Sequence, residues 1–226
     1  MASTQTMVTD ALYAYMLSVS PPEPDVLRAL REETAGMKFD FWQITPLQGH
    51  FLTMLVELLG AKRIIEVGTY TGYSSISMAR ALPKDGRLIA LDISDEFTQV
   101  ARRYWKRAGV DDRIELRLAP AVESMDAMLK AGGAGSYDLI FVDADKPNYV
   151  NYYERGLQLL RPGGLLLVDN TLFSGRVLNP DDPGLEPWRR EWTLGVMEFN
   201  RMVCKDPRVT LAMTPIGDGL TFCRKR

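Results

Sequence analysis

Tyr137-Asp138-Leu139-Ile140-Phe141-Val142 runs into Asp143-Ala144-Asp145-Lys146, and further on Gly164-Leu165-Leu166-Leu167-Val168 runs into Asp169-Asn170-Thr171. Twice an apolar strand ends on acids. Continuous apolar runs mark parallel strands buried on both faces, and ligands collect beyond the carboxyl ends of such strands. If the two are neighbours, about 4.8 Å apart, Asp143, Asp169 and Asn170 converge at one point on the sheet's edge. Two carboxylates and an amide oxygen are hard ligands, suited to Mg²⁺, Mn²⁺ or Ca²⁺ rather than zinc. Lys146, three residues after the first of them, is then a candidate proton acceptor beside the metal.

The alternation extends outward from this stretch. Strands are predicted at 63–67, 87–91, 114–118, 138–142 and 164–168, with helices near 72–82, 95–108, 121–131 and 148–160. Gly109, Gly132-Gly133 and Pro162-Gly163-Gly164 read as helix stops and turns. A long connection over 171–186 leads to a helix near 188–203. Two strand-like runs, 208–213 and 220–224, then flank Thr214-Pro215-Ile216-Gly217-Asp218-Gly219, which is hairpin turn chemistry. The expected fold is therefore α/β, a mostly parallel seven-stranded sheet with helices on both faces and an antiparallel C-terminal pair.

The first sixty residues hold Pro21-Pro22-Glu23-Pro24, a helix at 25–35 and a helical pattern over 46–60 with Leu47, Phe51, Leu55 and Leu58 on one face. So short a segment has little core of its own. It is expected to cap the open edge of the sheet, making 1–226 one domain, with a helical cap at 1–60 and a core at 61–226.

Composition excludes several classes. With 46% hydrophobic and 25% charged residues, a net charge of −2 and a pI near 5.6, the chain is ordinary and slightly acidic, so no nucleic-acid partner is expected. Arg102, Arg103, Lys106 and Arg107, near Asp95, Glu96 and Asp111, read as a solvated helix face. Cys204 and Cys223 are too few for a disulfide framework and are expected to be reduced core residues. No basic flank precedes an apolar run at the N-terminus, so neither a signal peptide nor a membrane span is expected, and the location should be cytoplasmic. His50, the sole histidine, has no nucleophile to pair with.

A second constellation lies at Ile64-Ile65-Glu66-Val67-Gly68-Thr69-Tyr70-Thr71-Gly72-Tyr73-Ser74, a strand, a glycine turn and a helix start. The spacing is G-x-x-x-G, not the dinucleotide G-x-G-x-x-G. Gly68 lets a ligand approach the backbone and Gly72 permits a tight turn. Asp92, 26 residues past Glu66, ends the next strand; it can accept ribose hydroxyls or cap the following helix. Glu66 inside an apolar strand favours a ligand, since a lone buried acid is costly.

Glu66 to Ser74, Phe141 to Lys146 and Asp169-Asn170 together resemble the metal-dependent S-adenosylmethionine O-methyltransferases, in particular the caffeoyl-CoA O-methyltransferase type and its bacterial relatives. The resemblance runs from about Leu27 to Lys225. It implies a Rossmann-like class I methyltransferase fold, a homodimer, and S-adenosylmethionine with a divalent cation, Mg²⁺ first, as cofactors. Glu66, Gly68, Thr69 and Ser74 match positions that hold the cofactor's methionine end, with Ile44-Thr45 closing over it. Asp92 matches the ribose acid, Ala121 the adenine contact and Asp145 a further polar contact. Asp143, Asp169 and Asn170 match the metal ligands, and Lys146 the general base.

The implied reaction is methyl transfer to a hydroxyl of a vicinal diol on a small aromatic, of the catechol or hydroxycinnamate type. Phe173 and Ser174 stand where plant members carry Trp and Asn, so a coenzyme A thioester is not implied. Trp42, Phe173, Ser174 and Trp188, with Trp192, form the candidate acceptor site, although the aromatic ones serve equally to bury a subunit interface. The rival readings are a methyltransferase acting on a tRNA nucleoside and a nicotinamide-dependent oxidoreductase; the second leaves the Asp143/Asp169/Asn170 set unexplained.

Overall fold

A computed structural model of the chain describes residue 6 and residues 8–226. The elements in chain order are helices α1 (Asp10–Ser18), α2 (Asp25–Thr34) and α3 (Pro46–Leu59), then β1 (Arg63–Val67), α4 (Tyr73–Ala81), β2 (Arg87–Asp92), α5 (Asp95–Ala108), β3 (Ile114–Leu118), α6 (Ala121–Lys130), β4 (Tyr137–Val142), α7 (Tyr149–Leu159), β5 (Leu160–Val168), α8 (Pro187–Val203), β6 (Val209–Thr214) and β7 (Leu220–Lys225). The seven strands form one sheet in the order β3-β2-β1-β4-β5-β7-β6. β1 to β5 are parallel, β7 is antiparallel to β5, and β6 is antiparallel to β7. No described helix is long and apolar enough to cross a membrane.

The strand order reverses between β1 and β4, and that is where the site lies. Val67 pairs with Val142 and Val142 with Val168. One residue on, Asp143 N donates to Val67 O and Asp169 N to Val142 O, both at 2.9 Å. Glu66-Val67-Gly68, Asp143 and Asp169 therefore leave adjacent strands side by side at the crevice where open α/β sheets bind ligands.

Alternate strand residues feed two apolar layers, as a sheet covered on both faces requires. Ile64, Phe141 and Leu167 pack with α2 to α5. Ile65, Val67, Ile140 and Val142 pack with α6 to α8. Glu66 falls on the first face, among apolar neighbours.

Four expectations need correction. The helix over 46–59 lies on a sheet face beside α4, not over an open edge, because Leu52 and Val56 are buried in the first apolar layer. Its inward stripe is Gln48, Gly49, Leu52 and Val56; Leu58 is 75% exposed. Pro162-Gly163-Gly164 is no turn. It lies inside β5, where a register shift against Tyr137 and Leu139 absorbs it as a bulge. Cys223 is buried, with burial pushing its thiol up to about 12, whereas Cys204 is exposed at the end of α8.

Candidate active site

The reversal point opens a cavity of about 860 Å³. That is large enough for a nucleoside-sized ligand together with a small ring. On the β1 side, Glu66 is fully buried and its Oε1 accepts a 2.6 Å hydrogen bond from the Ser74 hydroxyl. Its Oε2 is buried with no partner. Burial pushes this carboxyl up to about 8, against the downward pull of the Ser74 hydroxyl. A half-satisfied buried carboxyl is the sort of exception that calls for a ligand, here a cationic donor.

The turn after β1 explains its glycines. Gly68 has φ of 86°, and a Cβ there would stand 2.0 Å from the Asp143 carbonyl oxygen. The glycine is thus demanded by the end of β4, a stronger reason than ligand access. Gly72, at φ of 88°, begins α4 and brings it against Ala101 and Trp105 of α5.

Asp92 organises the same turn. Its Oδ2 accepts from Thr69 N and Tyr70 N, each at 2.9 Å, and its Oδ1 from Ser94 N at 2.8 Å. A carboxylate has about four acceptor positions, so about one is left for a hydroxyl. The α5 cap is Ser94, whose hydroxyl accepts from Phe97 N, which removes helix capping as the reason for Asp92. Ala121 and Ile44 line the cavity. Thr45 instead caps α3 in a box with Gln48 and lies outside the lining, as do Glu66 and Asp169.

The β4 and β5 side gathers side-chain oxygens of Asp143 and Asn170 around the Lys146 ammonium. Lys146 is 4% exposed, and its Nζ donates to Asp143 Oδ1 at 3.1 Å and to Asn170 Oδ1 at 2.5 Å. The ammonium also lies 5.1 Å from the Tyr149 ring centroid and 5.7 Å from that of Trp192. Asp169 stands beside them, 2% exposed, its Oδ2 accepting from Gln48 Nε2 at 3.0 Å and its Oδ1 from Asn170 N at 2.7 Å. Burial, then the charge of Asp143, pushes its carboxyl up to about 7.

The donor chemistry fits a hard divalent cation, and the Lys146 ammonium marks where positive charge is held. The third oxygen is an amide; no set of three or more His, Cys, Asp or Glu side chains capable of holding a metal occurs among the described residues. Asp145 is fixed by Tyr152 Oη at 2.5 Å and Asn148 Nδ2 at 2.6 Å.

The aromatic residues divide. Trp42 stacks on Phe39 with centroids 4.0 Å apart and neighbours Tyr70 and Phe97, on the side of the Asp92 turn. Phe173, Trp192 and Trp188 form a second group, with successive centroids 6.4 and 5.5 Å apart. Both groups line the same cavity but do not make one wall. Ser174 is pinned through its N–H and hydroxyl to Asp218. Asn170, Phe173 and Ser174 all have positive φ, so this loop is held in a costly conformation by its surroundings. His50 lines a separate small cavity with Tyr13, Glu23 and Arg31.

Sequence reasoning misses three features here. Gln48 is legible only through the Thr45-x-x-Gln48 capping box, and nothing in that pattern announces its bond to Asp169. Gly195 of α8 lies against the Lys146 backbone, where a Cβ would stand 2.6 Å from the carbonyl oxygen. Arg176 and Arg189 line the cavity but carry no motif.

The profile of the O-methyltransferase family matches residues 17–226. A caffeoyl-CoA O-methyltransferase of Medicago sativa is 43% identical over 220 residues, covering 96% of this chain and 89% of that one. The O-methyltransferase TomG of Streptomyces achromogenes, solved in complex with S-adenosylmethionine, superposes with a TM-score of 0.85 at 31% identity, covering 95% of this chain and 96% of that one. An O-methyltransferase of Bacillus cereus in complex with S-adenosylhomocysteine gives 0.85 at 30% identity, covering 96% and 97%.

Proposed function

We propose that this chain, which belongs to the O-methyltransferase family, transfers the methyl group of S-adenosylmethionine to one hydroxyl of a vicinal diol on a small aromatic acceptor, with a divalent cation at Asp143, Asp169 and Asn170. The observation that carries this reading is the buried Lys146 ammonium held between Asp143 and Asn170, one strand away from the Glu66 turn. S-adenosylmethionine supplies a methyl on a sulfonium, whose leaving group is neutral, and a divalent cation supplies Lewis acidity toward two vicinal oxygens.

The chain's own residues do the rest. The free oxygen of Glu66, backed by Ser74, takes the ammonium of the methionine end, while Gly68, Thr69 and Ile44 shape the passage around it. Asp92 offers its spare acceptor position to a ribose hydroxyl, Ala121 lies under the base, and Asp145 adds an acid held rigid by Tyr152 and Asn148. Lys146 Nζ, once the ammonium has released a proton and stands as the neutral amine, is placed to take up the acceptor's hydroxyl proton. Phe173, Trp188 and Trp192 give the ring an apolar face and keep water from the reacting oxygen. The names of the caffeoyl-CoA relatives support an acceptor of the hydroxycinnamate or catechol type.

The test is a methyl-transfer assay with a panel of catechols and matched monophenols, with Mg²⁺ and with excess EDTA. Diols should be methylated on one oxygen only when the cation is present, and monophenols slower by orders of magnitude. Full activity in EDTA, or efficient methylation of monophenols or tRNA, would sink the chelation reading.

A further inference from the structure

The connection after β5 carries a costly backbone. Phe173, Ser174 and Gly175 take φ of 45°, 51° and 76° in succession, and Asn170 takes 56°. Glycine adopts such angles freely and asparagine tolerates them, but an aromatic residue and a serine side by side do not. Contacts from outside the bend must therefore hold it.

The turn between β6 and β7 supplies them. Thr171 N donates to Gly219 O at 2.9 Å, and Leu172 N donates to Asp218 O at 3.0 Å. Past Leu172 a side chain takes over. The Asp218 carboxylate accepts from Ser174 N at 2.5 Å through Oδ1, and from the Ser174 hydroxyl at 3.4 Å through Oδ2. The turn beneath that carboxylate is itself wedged. A Cβ at Gly217 would stand 2.4 Å from Gln48 Nε2, and one at Gly219 would stand 2.5 Å from Leu172 Cγ. Asp218 is thus seated between α3 and the bend, and its one charge is turned on the strained backbone. Downstream of that bond the bend presents the Phe173 ring to the cavity, 6.4 Å from the Trp192 centroid.

We infer that Asp218 is a positioning residue, whose carboxylate holds Phe173 and Ser174 in the left-handed bend and so sets where the Phe173 ring stands. The inference rests on the proposed function for what that ring receives, an aromatic acceptor. A carboxylate suits the task because hydrogen bonds from backbone N–H groups to an ionised acceptor are stronger than neutral ones. Asp218 then acts on the acceptor only through the wall, and a residue at 174 that adopts the bend unaided should make it dispensable.

Asp218→Ala, Asp218→Asn, Ser174→Gly and Asp218→Ala combined with Ser174→Gly test this against the wild type. Catechol methylation gives kcat and the acceptor KM, calorimetry gives the affinity for S-adenosylhomocysteine, and hydrogen exchange reports the amides of 170–176. Asp218→Ala should raise the acceptor KM by about tenfold or more, since a hydrogen bond to a charged group is lost. It should also speed exchange over 170–176 and leave cofactor affinity in place. Asparagine keeps an oxygen for Ser174 N and should retain most of the KM. Glycine reaches φ of 51° without help, so adding Ser174→Gly to Asp218→Ala should recover most of the lost KM. Asp218→Ser, too short to span to Ser174 N, takes the place of the alanine variant if that variant does not fold. An unchanged KM in Asp218→Ala overturns the inference. So does equal damage from alanine and asparagine with no recovery from Ser174→Gly, which would put the carboxylate on the acceptor itself. Were no catechol methylated, the proposed function would fall, while unchanged exchange over 170–176 in Asp218→Ala would separately remove the clamp.

Discussion

Glu66 should make cofactor binding a proton-release reaction. In the free protein its carboxyl is pushed up to about 8 by burial, so at pH 7 roughly nine molecules in ten carry the proton. An ammonium seated on the unpartnered Oε2 favours the ionised form and returns the carboxyl toward its ordinary range. Binding at pH 7 should then release about 0.9 proton, and affinity should fall roughly tenfold for each unit of acidification below pH 8.

The stability of the free protein has the matching sign. A raised carboxyl binds more protons in the folded than in the unfolded state. Its contribution is complete below the unfolded value of 4.5 and is lost as pH rises toward about 8. The slope is at most about 1.4 kcal/mol per pH unit across that window. Calorimetric titration of S-adenosylhomocysteine in two buffers of different ionisation enthalpy counts the protons directly, and Glu66→Gln should bind without releasing any. Release of less than about 0.2 proton at pH 7, or the same release from Glu66→Gln, would refute the assigned partnership.

Gly195→Ala should gain about 1 kcal/mol of helix propensity yet lose activity. Its Cβ, 2.6 Å from the Lys146 carbonyl oxygen, needs about 1 Å more room, and misplacement of that size costs on the order of a hundredfold in kcat; unchanged kcat would show that Lys146 needs no such placement. Gln48→Leu leaves Asp169 Oδ2 without its donor, so denaturant unfolding should show a loss of about 1–3 kcal/mol and calorimetry a ten- to hundredfold weaker divalent cation. Lys146→Met should tighten Mg²⁺ or Mn²⁺ binding by on the order of tenfold or more, because it removes an internal cation from the same oxygens, while turnover collapses; weaker cation binding would mean the ammonium does not compete there. Tyr15, Val19, Met54 and Leu58 leave 57–75% of their surface exposed, and a homodimer burying them is expected; light scattering at the 25.4 kDa of a single chain would exclude it.

The mostly parallel sheet and the acidic corner are legible in the sequence because both follow from local pattern. Five apolar runs separated by helical spacing leave little choice but a parallel sheet, and pairing β4 with β5 then carries Asp143 and Asp169 to the same edge. The α3 stripe is harder to read, since leucines surround that helix and only the tertiary fit selects Leu52 and Val56 over Leu58. Pro162-Gly163-Gly164 reads as a turn by composition, yet a bulge in an extended strand needs the same residues. Trp42 and Phe173 look equivalent in the sequence. Only the packing of Phe39, Tyr70 and Phe97 around Trp42 assigns it to a separate group. Gln48 and Gly195 act across 121 and 49 residues along the chain, where no periodicity speaks.

Gly68 has a consequence for anyone who would rebuild this protein. Its α-carbon leaves no space for even a methyl group before the Asp143 carbonyl, so the turn proposed for the methyl donor and the corner proposed for the cation are a single casting. A chimera that exchanges residues 66–74 without 141–146 would join surfaces never shaped to each other. The proposed acceptor wall is a separate part, built from the 171–186 connection and α8. It touches the casting at the Lys146 backbone through Gly195. New acceptors are therefore best sought by changing Phe173, Arg176, Trp188 and Arg189, with both glycines left alone.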